Sequence, residues 1–413
     1  LIDNREKDET VILVAVSADD DRQTAEASLD ELAELVKTAG AEVLGRAVQN
    51  REYADPSYYV GRGKLTQIQE ILHETGATGI VCDDELSPAQ ISGLGEALDC
   101  KVMDRTMVIL DIFAARASSA EGKVQVELAQ QRYRLTHLAG LGTALSRLGG
   151  GIGTRGPGEK KLEMDRRYIR ARISQLKKEL DDIMRHRQVT RENRQRSGIS
   201  KMAIIGYTNA GKSTLLNCLT DAQVLEEDKL FATLDPTTRQ FRLDSGQEIL
   251  LTDTVGFINK LPHNLIDAFK STLEEAKYAD YIIHVADASS PQLDEHISIV
   301  YDTLRELGIA GKKILTVFNK MDLAPDETHL RDERASYTVK VSLRDGTGVD
   351  ELKKAMERMI RGDRVYLSKV IPYSQSSGLQ IIRRYGELLS ERYEDDGIHI
   401  TAFVPPEISR HRG

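Results

Sequence analysis

At 413 residues, with 40% hydrophobic and 29% charged side chains, the chain has room for about two to four globular domains and too much apolar content for an intrinsically disordered one. A net charge of −9 argues against a general nucleic-acid coat, no apolar run nears the roughly 18 residues of a membrane span, and the charged start at residues 3–9 is no secretory signal. Cys82, Cys100 and Cys218 are odd in number and lack the paired spacing of a zinc site, so reduced, buried thiols and a cytoplasmic setting are expected.

Leu1 stands where an initiator Met would, so a trimmed segment is expected ahead of it. The apolar run 11–16 reads as a strand, and 24–38 as a helix with Leu29, Leu32 and Leu35 on one face and Gly40 just past its end. Further strands at 41–48, 79–82 and 101–104 alternate with helices near 65–75 and 87–98, which predicts a parallel α/β domain over residues 1–119. Gly61, Arg62, Gly63 and Lys64 precede one of these helices but lack the full spacing of a phosphate cradle. A tight turn or an RNA-backbone contact is favoured there over a second nucleotide site.

Residues 120–198 are expected to form a long antiparallel helical hairpin. Val124, Leu128, Leu135 and Leu138 recur at three-to-four spacing, as do Leu162, Ile169, Ile173, Leu176, Leu180 and Ile183 in a second run. The intervening segment 140–158 is too glycine-rich for a stable helix or strand and reads as a functional tip. Residues 155–201 hold 15 Lys and Arg against 7 Asp and Glu, a basic island of +8 on a chain otherwise at −17. At the tip, Gly149, Gly150 and Gly151 allow close backbone approach to a structured partner, and the flanking Arg147 and Arg155 suit phosphates. The plain alternatives are a solvated helix face and an intermolecular coiled coil. The returning glycine segment favours pairing within the chain.

Residues 199–362 are expected to form a P-loop domain. Gly206, Tyr207, Thr208, Asn209, Ala210, Gly211, Lys212 and Ser213 give two glycines, a lysine and a hydroxyl at cradle spacing, between the apolar strand 202–205 and a helix opened by Thr214. Backbone N–H groups and the helix N-terminus would face one anion, with Lys212 adding charge and Ser213 a Mg2+ ligand. Asp253, Thr254, Val255 and Gly256 follow the strand 249–252: Asp253 is placed to hold Mg2+ through water, and the Gly256 N–H to sense a terminal phosphate. Asn319, Lys320, Met321 and Asp322 follow the strand 314–318. The Asp322 carboxylate can accept both guanine N–H donors, which adenine cannot offer, while the Lys320 stem covers the ring. Ser342, Leu343 and Arg344 would complete the base pocket. Guanine nucleotides, GTP and GDP, are therefore the expected ligands.

Residues 363–413 read as a small α+β domain, with a strand at 365–371, a helix carrying Leu379, Ile382, Tyr385 and Leu388, and a last strand at 398–404.

The ordered P-loop motifs resemble the small-GTPase superfamily and, within it, the Obg and HflX branch. Residues 104–113, the tip at 149–158 and the run 159–167 with Arg166 and Arg167 look like the HflX family. The resemblance implies an α/β multidomain GTPase that binds the large (50S) ribosomal subunit in its GTP form, reaches its 23S rRNA with the arm, and separates ribosomes under stress. It places the second Mg2+ hydroxyl in 229–239, at Thr233 with Thr237 as runner-up, and extends nucleotide contacts to Phe231, Ala232, Leu234 and Asp235. Arg147, Gly149, Gly150, Gly151, Arg155, Arg166 and Arg167 become the candidate rRNA contacts.

Phe257 follows Gly256 where many relatives have a water-orienting glutamine, so slow intrinsic hydrolysis is expected. Asn209 sits where some related GTPases use asparagine to hold K+. The expected catalytic set is Lys212, Thr233, Asp253, Gly256 and Asn209, in a monomer. Competing roles are a large-subunit assembly checkpoint and a protein-partner switch that uses the arm as a coiled coil.

Overall fold

The computed structural model describes residues 9–17, 22–146, 157–195, 199–220, 230–231, 233–260, 275–309, 311–324, 330–375 and 377–410. The chain divides into two compact units, Leu1–Ile183 with Asn259–Phe269, and Met184–Ile258 with Lys270–Gly413.

In the first unit, β1 (Thr10–Ser17), β2 (Glu42–Asn50), β3 (Gly79–Cys82) and β4 (Lys101–Asp104) form a parallel sheet in the order β2-β1-β3-β4. Its helices are α1 (Arg22–Thr38), α2 (Arg62–Thr75), α3 (Pro88–Leu98) and α4 (Arg105–Arg116). Local chemistry fixes their starts. Ser87 and Gln90 form a reciprocal capping box on α3, and the Asp104 carboxylate accepts from the Met107 N–H to open α4. Residues 61–64 are the start of α2, where the Gly61 N–H donates to Gln49 Oε1 at 2.7 Å.

The arm consists of α5 (Ala120–Ser146) and α6 (Pro157–Gln195). Val124, Leu128 and Leu176 pack with Ile173, Leu180 and Ile183. Arg172 forks onto Glu127 at 2.6 and 2.7 Å, while Arg166 donates to the Leu138 carbonyl at 3.4 Å, so the helices run antiparallel. Residues 140–146 are helical, against the sequence expectation. Extending an existing helix is far easier than nucleating one, and Leu141, Ala144 and Leu145 are good helix formers that offset the roughly 1 kcal/mol cost of each glycine. Arg147, Gly149, Gly150, Gly151 and Arg155 lie outside the described residues.

The second unit carries a six-stranded sheet of β5 (Ser200–Gly206), β6 (Thr237–Arg242), β7 (Glu248–Asp253), β8 (Tyr281–Asp287), β9 (Lys313–Asn319) and β10 (Tyr337–Lys340). The order is β10-β9-β8-β5-β7-β6, parallel except for β6. Thr237, Thr238 and Arg239, from the segment expected to carry the second Mg2+ hydroxyl, begin edge strand β6, where the Thr238 and Thr252 hydroxyls lie 3.0 Å apart. Helices α7 (Lys212–Thr220), α8 (Leu293–Glu306) and α9 (Val349–Arg361) accompany this sheet. On α7, Leu215, Leu216 and Leu219 take the core side and leave Cys218 exposed. Only Cys82 of the three thiols is fully buried, which corrects the expectation for the other two.

A second sheet in this unit, β11-β13-β12, is antiparallel: β11 (Val365–Ile371), β12 (Glu387–Glu394) and β13 (Gly397–Val404), with helices α10 (Ser377–Tyr385) and α11 (Pro406–Arg410). Leu388 belongs to β12 and not to the helix. The helix ends at Tyr385 and β12 begins at Glu387, with Gly386 between them where a Cβ would lie 2.8 Å from the Ile382 carbonyl, and the charges of β12 hide its strand character. Arg361 forks onto Glu387, and Arg384 pairs with Glu248 at 2.8 Å.

His284 on β8 is fully buried, edge-on to Tyr301, and burial pushes its pKa down to about 4. The unfolded chain then takes up a proton near 6.5 that the folded chain refuses, so stability falls as pH drops from 6.5 towards 4, by up to about 1.4 kcal/mol per pH unit. His296, also held down to about 4 by burial, adds in the same direction. Urea unfolding across this window should show the decline, and His284→Gln should reduce its slope by about one proton. An unchanged slope would mean that His284 does not carry the acid sensitivity.

Candidate active site

The parallel strands β5, β7, β8 and β9 deliver their carboxyl ends to one edge of the sheet. β5 ends at Gly206, and α7 opens at Lys212, with Asn209 at φ +59° and Gly211 at φ +100° making the turn between them. A Cβ at Gly211 would lie 2.3 Å from Asn319 Nδ2, so close approach as well as backbone sign demands glycine here. Ala210 is buried, Asn209 is exposed and Thr214 is half-buried. The Tyr207 ring stacks on His296, 3.7 Å between centroids and 11° from parallel.

Lys212 is 6% exposed and donates to the Tyr207 carbonyl at 2.7 Å. Burial draws its pKa down to about 8, against the pull of Asp253. Burial likewise pushes the Asp253 carboxyl up, opposed first by Lys212. Ser213 Oγ donates to Asp253 Oδ2 at 2.7 Å and lies 2.9 Å from Thr233 Oγ1. Asp253 Oδ1 is buried without a hydrogen-bond partner. Two hydroxyls and a carboxylate with a spare oxygen are the donor set of a hard divalent cation, so these residues fit Mg2+. Thr233 joins Ser213, whereas the runner-up Thr237 pairs with Asp253 through the β6–β7 ladder.

Beyond β7, the Thr254 hydroxyl donates to the Ile204 carbonyl at 2.8 Å, and Val255 is buried. A Cβ at Gly256 would come 2.8 Å from Thr208 Cγ2 and 2.9 Å from Lys212 Nζ, so this position lies directly against the cradle lysine. Phe257 is 1% exposed and zipped to the cradle backbone: Thr208 N–H donates to its carbonyl at 2.7 Å, and its N–H to Gly206 at 3.1 Å. Phe231 and Leu234 are buried and Asp235 half-buried, while Ala232 and Lys229 lie outside the described residues.

Asn319 stitches the cradle to the base loop. Its Nδ2 donates to the Ala210 carbonyl at 2.9 Å and its Oδ1 accepts from the Leu343 N–H at 3.2 Å. Lys320, at φ +62°, pairs with Asp287 at 2.7 Å. Met321 N–H donates to the Val341 carbonyl, and exposed Asp322 accepts from Ser342 Oγ at 2.9 Å. Arg344 is exposed. Of the described members of the expected set, Lys212, Ser213, Thr233, Asp253 and Gly256 lie against one another, and Asn319 joins Ala210 to Leu343. Arg166 and Arg167 are on α6, the latter paired with Glu163 at 2.8 Å.

Sequence reasoning missed Asp287 and His296. An acid at the end of the run 281–286, followed after Ala288 by two serines, was the available signal for the first; in the structure the Ser289 N–H and Oγ both donate to Asp287 Oδ1. The His296 stack had none, because it depends on α8 lying beside the cradle.

Asp322→Asn is expected to weaken GDP binding roughly 100-fold and to favour xanthine nucleotides, whose O2 accepts from an amide. Displacement of a fluorescent GDP analogue by GDP and by XDP reads both effects. Wild-type GDP affinity in the variant would remove Asp322 from the base contact.

Three family models match in succession: a "GTP-binding GTPase N-terminal" region over residues 26–114, a "GTP-binding GTPase Middle Region" over 116–194 and a "50S ribosome-binding GTPase" over 201–320. The GTPase HflX of Lacrimispora saccharolytica is 60% identical over 408 residues, covering 99% of this chain and 96% of its own. That of Caldanaerobacter subterraneus subsp. tengcongensis is 46% identical, covering 98% and 92%, and that of Escherichia coli 40% identical, covering 88% and 85%. Among solved structures, the complex of SsGBP with GDP is 25% identical, covering 85% of this chain and 98% of its own, with a TM-score of 0.49. Residues 206–213, 253–256 and 319–322 thus stand within a relationship that spans 99% of this chain and 96% of its relative, and the chain belongs to the HflX family of GTPases.

Proposed function

We propose that this GTPase binds the large ribosomal subunit in its GTP form, and that binding splits or rescues stalled ribosomes, with hydrolysis to GDP releasing the protein for another round. The match of residues 201–320 to a 50S ribosome-binding GTPase supports the partner. The observation that carries the reading is the closed arm. Its apolar seam packs within the chain, with Val124, Leu128 and Leu176 buried together, which supports an arm that pairs with itself rather than with a coiled-coil partner. The protein would act as a monomer, with Arg147, Gly149, Gly150, Gly151 and Arg155 meeting 23S rRNA, and Arg166 and Arg167 adding charge along α6.

At the nucleotide site, the backbone of residues 209–214 would hold the phosphates, and Lys212 would neutralise them. Ser213 and Thr233 would hold Mg2+, with Asp253 acting through water. When bound, the ion would neutralise phosphate charge. The Gly256 N–H would read the terminal phosphate, while Phe257, turned inward, cannot orient water. Hydrolysis would therefore be slow until the ribosome orders the site. Asn209, exposed at the rim of the cradle, is a candidate for holding K+; equal rates in sodium and potassium salts would dismiss that role.

Sedimentation with intact ribosomes and separated subunits tests the reading. A non-hydrolysable GTP analogue, and not GDP, should bring the protein down with large subunits and deplete intact ribosomes. Replacing Gly149, Gly150 and Gly151 should abolish this while nucleotide binding survives. Binding confined to immature particles would instead indicate an assembly checkpoint, and absence of binding in both nucleotide states would overturn the proposal.

A further inference from the structure

The carboxyl ends of the GTPase strands carry the cradle, and a cavity lies at their amino ends. β5 begins at Ser200, β8 at Tyr281 and β9 at Lys313, so Ser200, Lys201, Tyr281 and Lys312 stand at the starts of parallel strands, opposite the nucleotide edge. There they line a cavity of 1040 Å³ that the antiparallel sheet of the same unit closes with Leu367 and Ile371 of β11, Ile381 and Ile382 of α10 and Ile408 of α11. Pockets for small organic ligands run from about 300 to 1,000 Å³ and are mostly apolar with a few placed polar groups. Tyr278 and Ile381 line this one while 42% and 43% exposed, so it opens to solvent.

Its two sides differ in chemistry. The side from the antiparallel sheet is aliphatic, the side from the strand starts carries Lys201 and Lys312, and Arg364 spans the two. The acceptors these cations find are neutral. Lys312 Nζ donates to the Ala279 carbonyl, and Arg364 donates to the carbonyls of Tyr385 at 2.5 Å and Phe403 at 3.5 Å and to Ser200 Oγ at 3.4 Å. The two acids of the lining are engaged elsewhere: Asp363 pairs with Lys313 at 2.6 Å, and Asp280 Oδ2 accepts from the Lys201 backbone N–H at 2.8 Å. Burial accordingly draws the Arg364 guanidinium down to about 10 and lowers Lys312 as well, and both stay charged at neutral pH. A desolvated cation held only by neutral acceptors is costly, and an anion from outside relieves that cost.

We propose that this cavity binds a small amphipathic anion, an apolar chain or ring bearing a carboxylate or a phosphate, with its body against Leu367, Ile371, Ile381 and Ile408 and its anionic group at Lys201, Lys312 and Arg364. A neutral apolar molecule would leave the cations uncompensated, and a bare inorganic anion would leave the aliphatic side wet. Because the cavity and the cradle occupy opposite ends of the sheet, both can be filled at once.

The full chain, saturated with GDP so that the nucleotide edge is occupied, is titrated with the anionic fluorophore anilinonaphthalene sulfonate. Saturable binding is expected. The double variant Lys201→Met, Lys312→Met, which keeps the side-chain stems and removes the charges, should weaken it about fivefold or more, and so should Ile381→Asp at its exposed position. Arg364 is left intact because it holds the Tyr385 and Phe403 carbonyls. GDP affinity and circular dichroism should stay at wild-type values in both variants. Decanoate and decyl phosphate, below their micellar concentrations, are then used to displace the fluorophore, with decanol as the neutral control. At least one of the two anions should act at a concentration about fivefold or more below that of decanol, and the stronger identifies carboxylate or phosphate as the preferred group. Absence of saturable binding, an unchanged fluorophore affinity in either natively folded variant, or displacement by decanol as effective as by the anions would overturn the proposal.

Discussion

The nucleotide site depends on one buried charge. An ammonium taken out of water is tolerated only where other groups replace its hydration, and Lys212 finds the Tyr207 carbonyl at 2.7 Å and the field of Asp253. The arrangement constrains both partners. The carbonyl pins the cradle backbone that the lysine closes, and burial pushes the Asp253 carboxyl up, opposed first by Lys212 and then by hydrogen bonds that include the Ser213 hydroxyl. A site so balanced is organised for a polyanion and a hard cation, because each would supply charge that the protein groups lack.

That balance requires separate stretches of chain to meet within a few ångströms, and the parallel sheet provides the meeting place. β5, β7, β8 and β9 end at a common edge, so Gly206, Asp253, Asp287 and Asn319 share it. Cross-links then make the loops one body. Asn319 ties the base loop to the cradle, Phe257 ties the switch to it, and His296 covers Tyr207. Phe257 is turned into the interior and offers no polar group to the site.

The first unit applies the same topology to opposite chemistry. Its strand ends carry carboxylates where the GTPase sheet carries donors, and the group that Asp83 and Asp84 hold is the Lys260 ammonium. Two non-glycine residues with left-handed backbone, Tyr59 and Lys260, meet at this place; neighbours that overdetermine a conformation can hold such strain.

The sequence by itself determined the chemistry that short spacings encode. The cradle at 206–213, the acid and glycine at 253–256 and the base loop at 319–322 each occupy a strand end, and a strand end is readable because burial on both faces leaves an apolar run before it. The arm was equally legible from its three-to-four seam, since a helix shows its packing face in its own sequence. Local patterns misled where local context was outweighed. The glycines at 140 and 142 continue a helix already formed, polar β6 and charged β12 are strands because neighbouring strands pair with them, and Cys218 faces outward because three leucines claim the other side of α7. Only tertiary structure decided that Thr233 rather than Thr237 meets Ser213, that Asp287 holds Lys320 and that Lys260 reaches Asp83, 177 residues away. Such pairs are set by where the sheets place distant chain, and no spacing along the sequence records that distance.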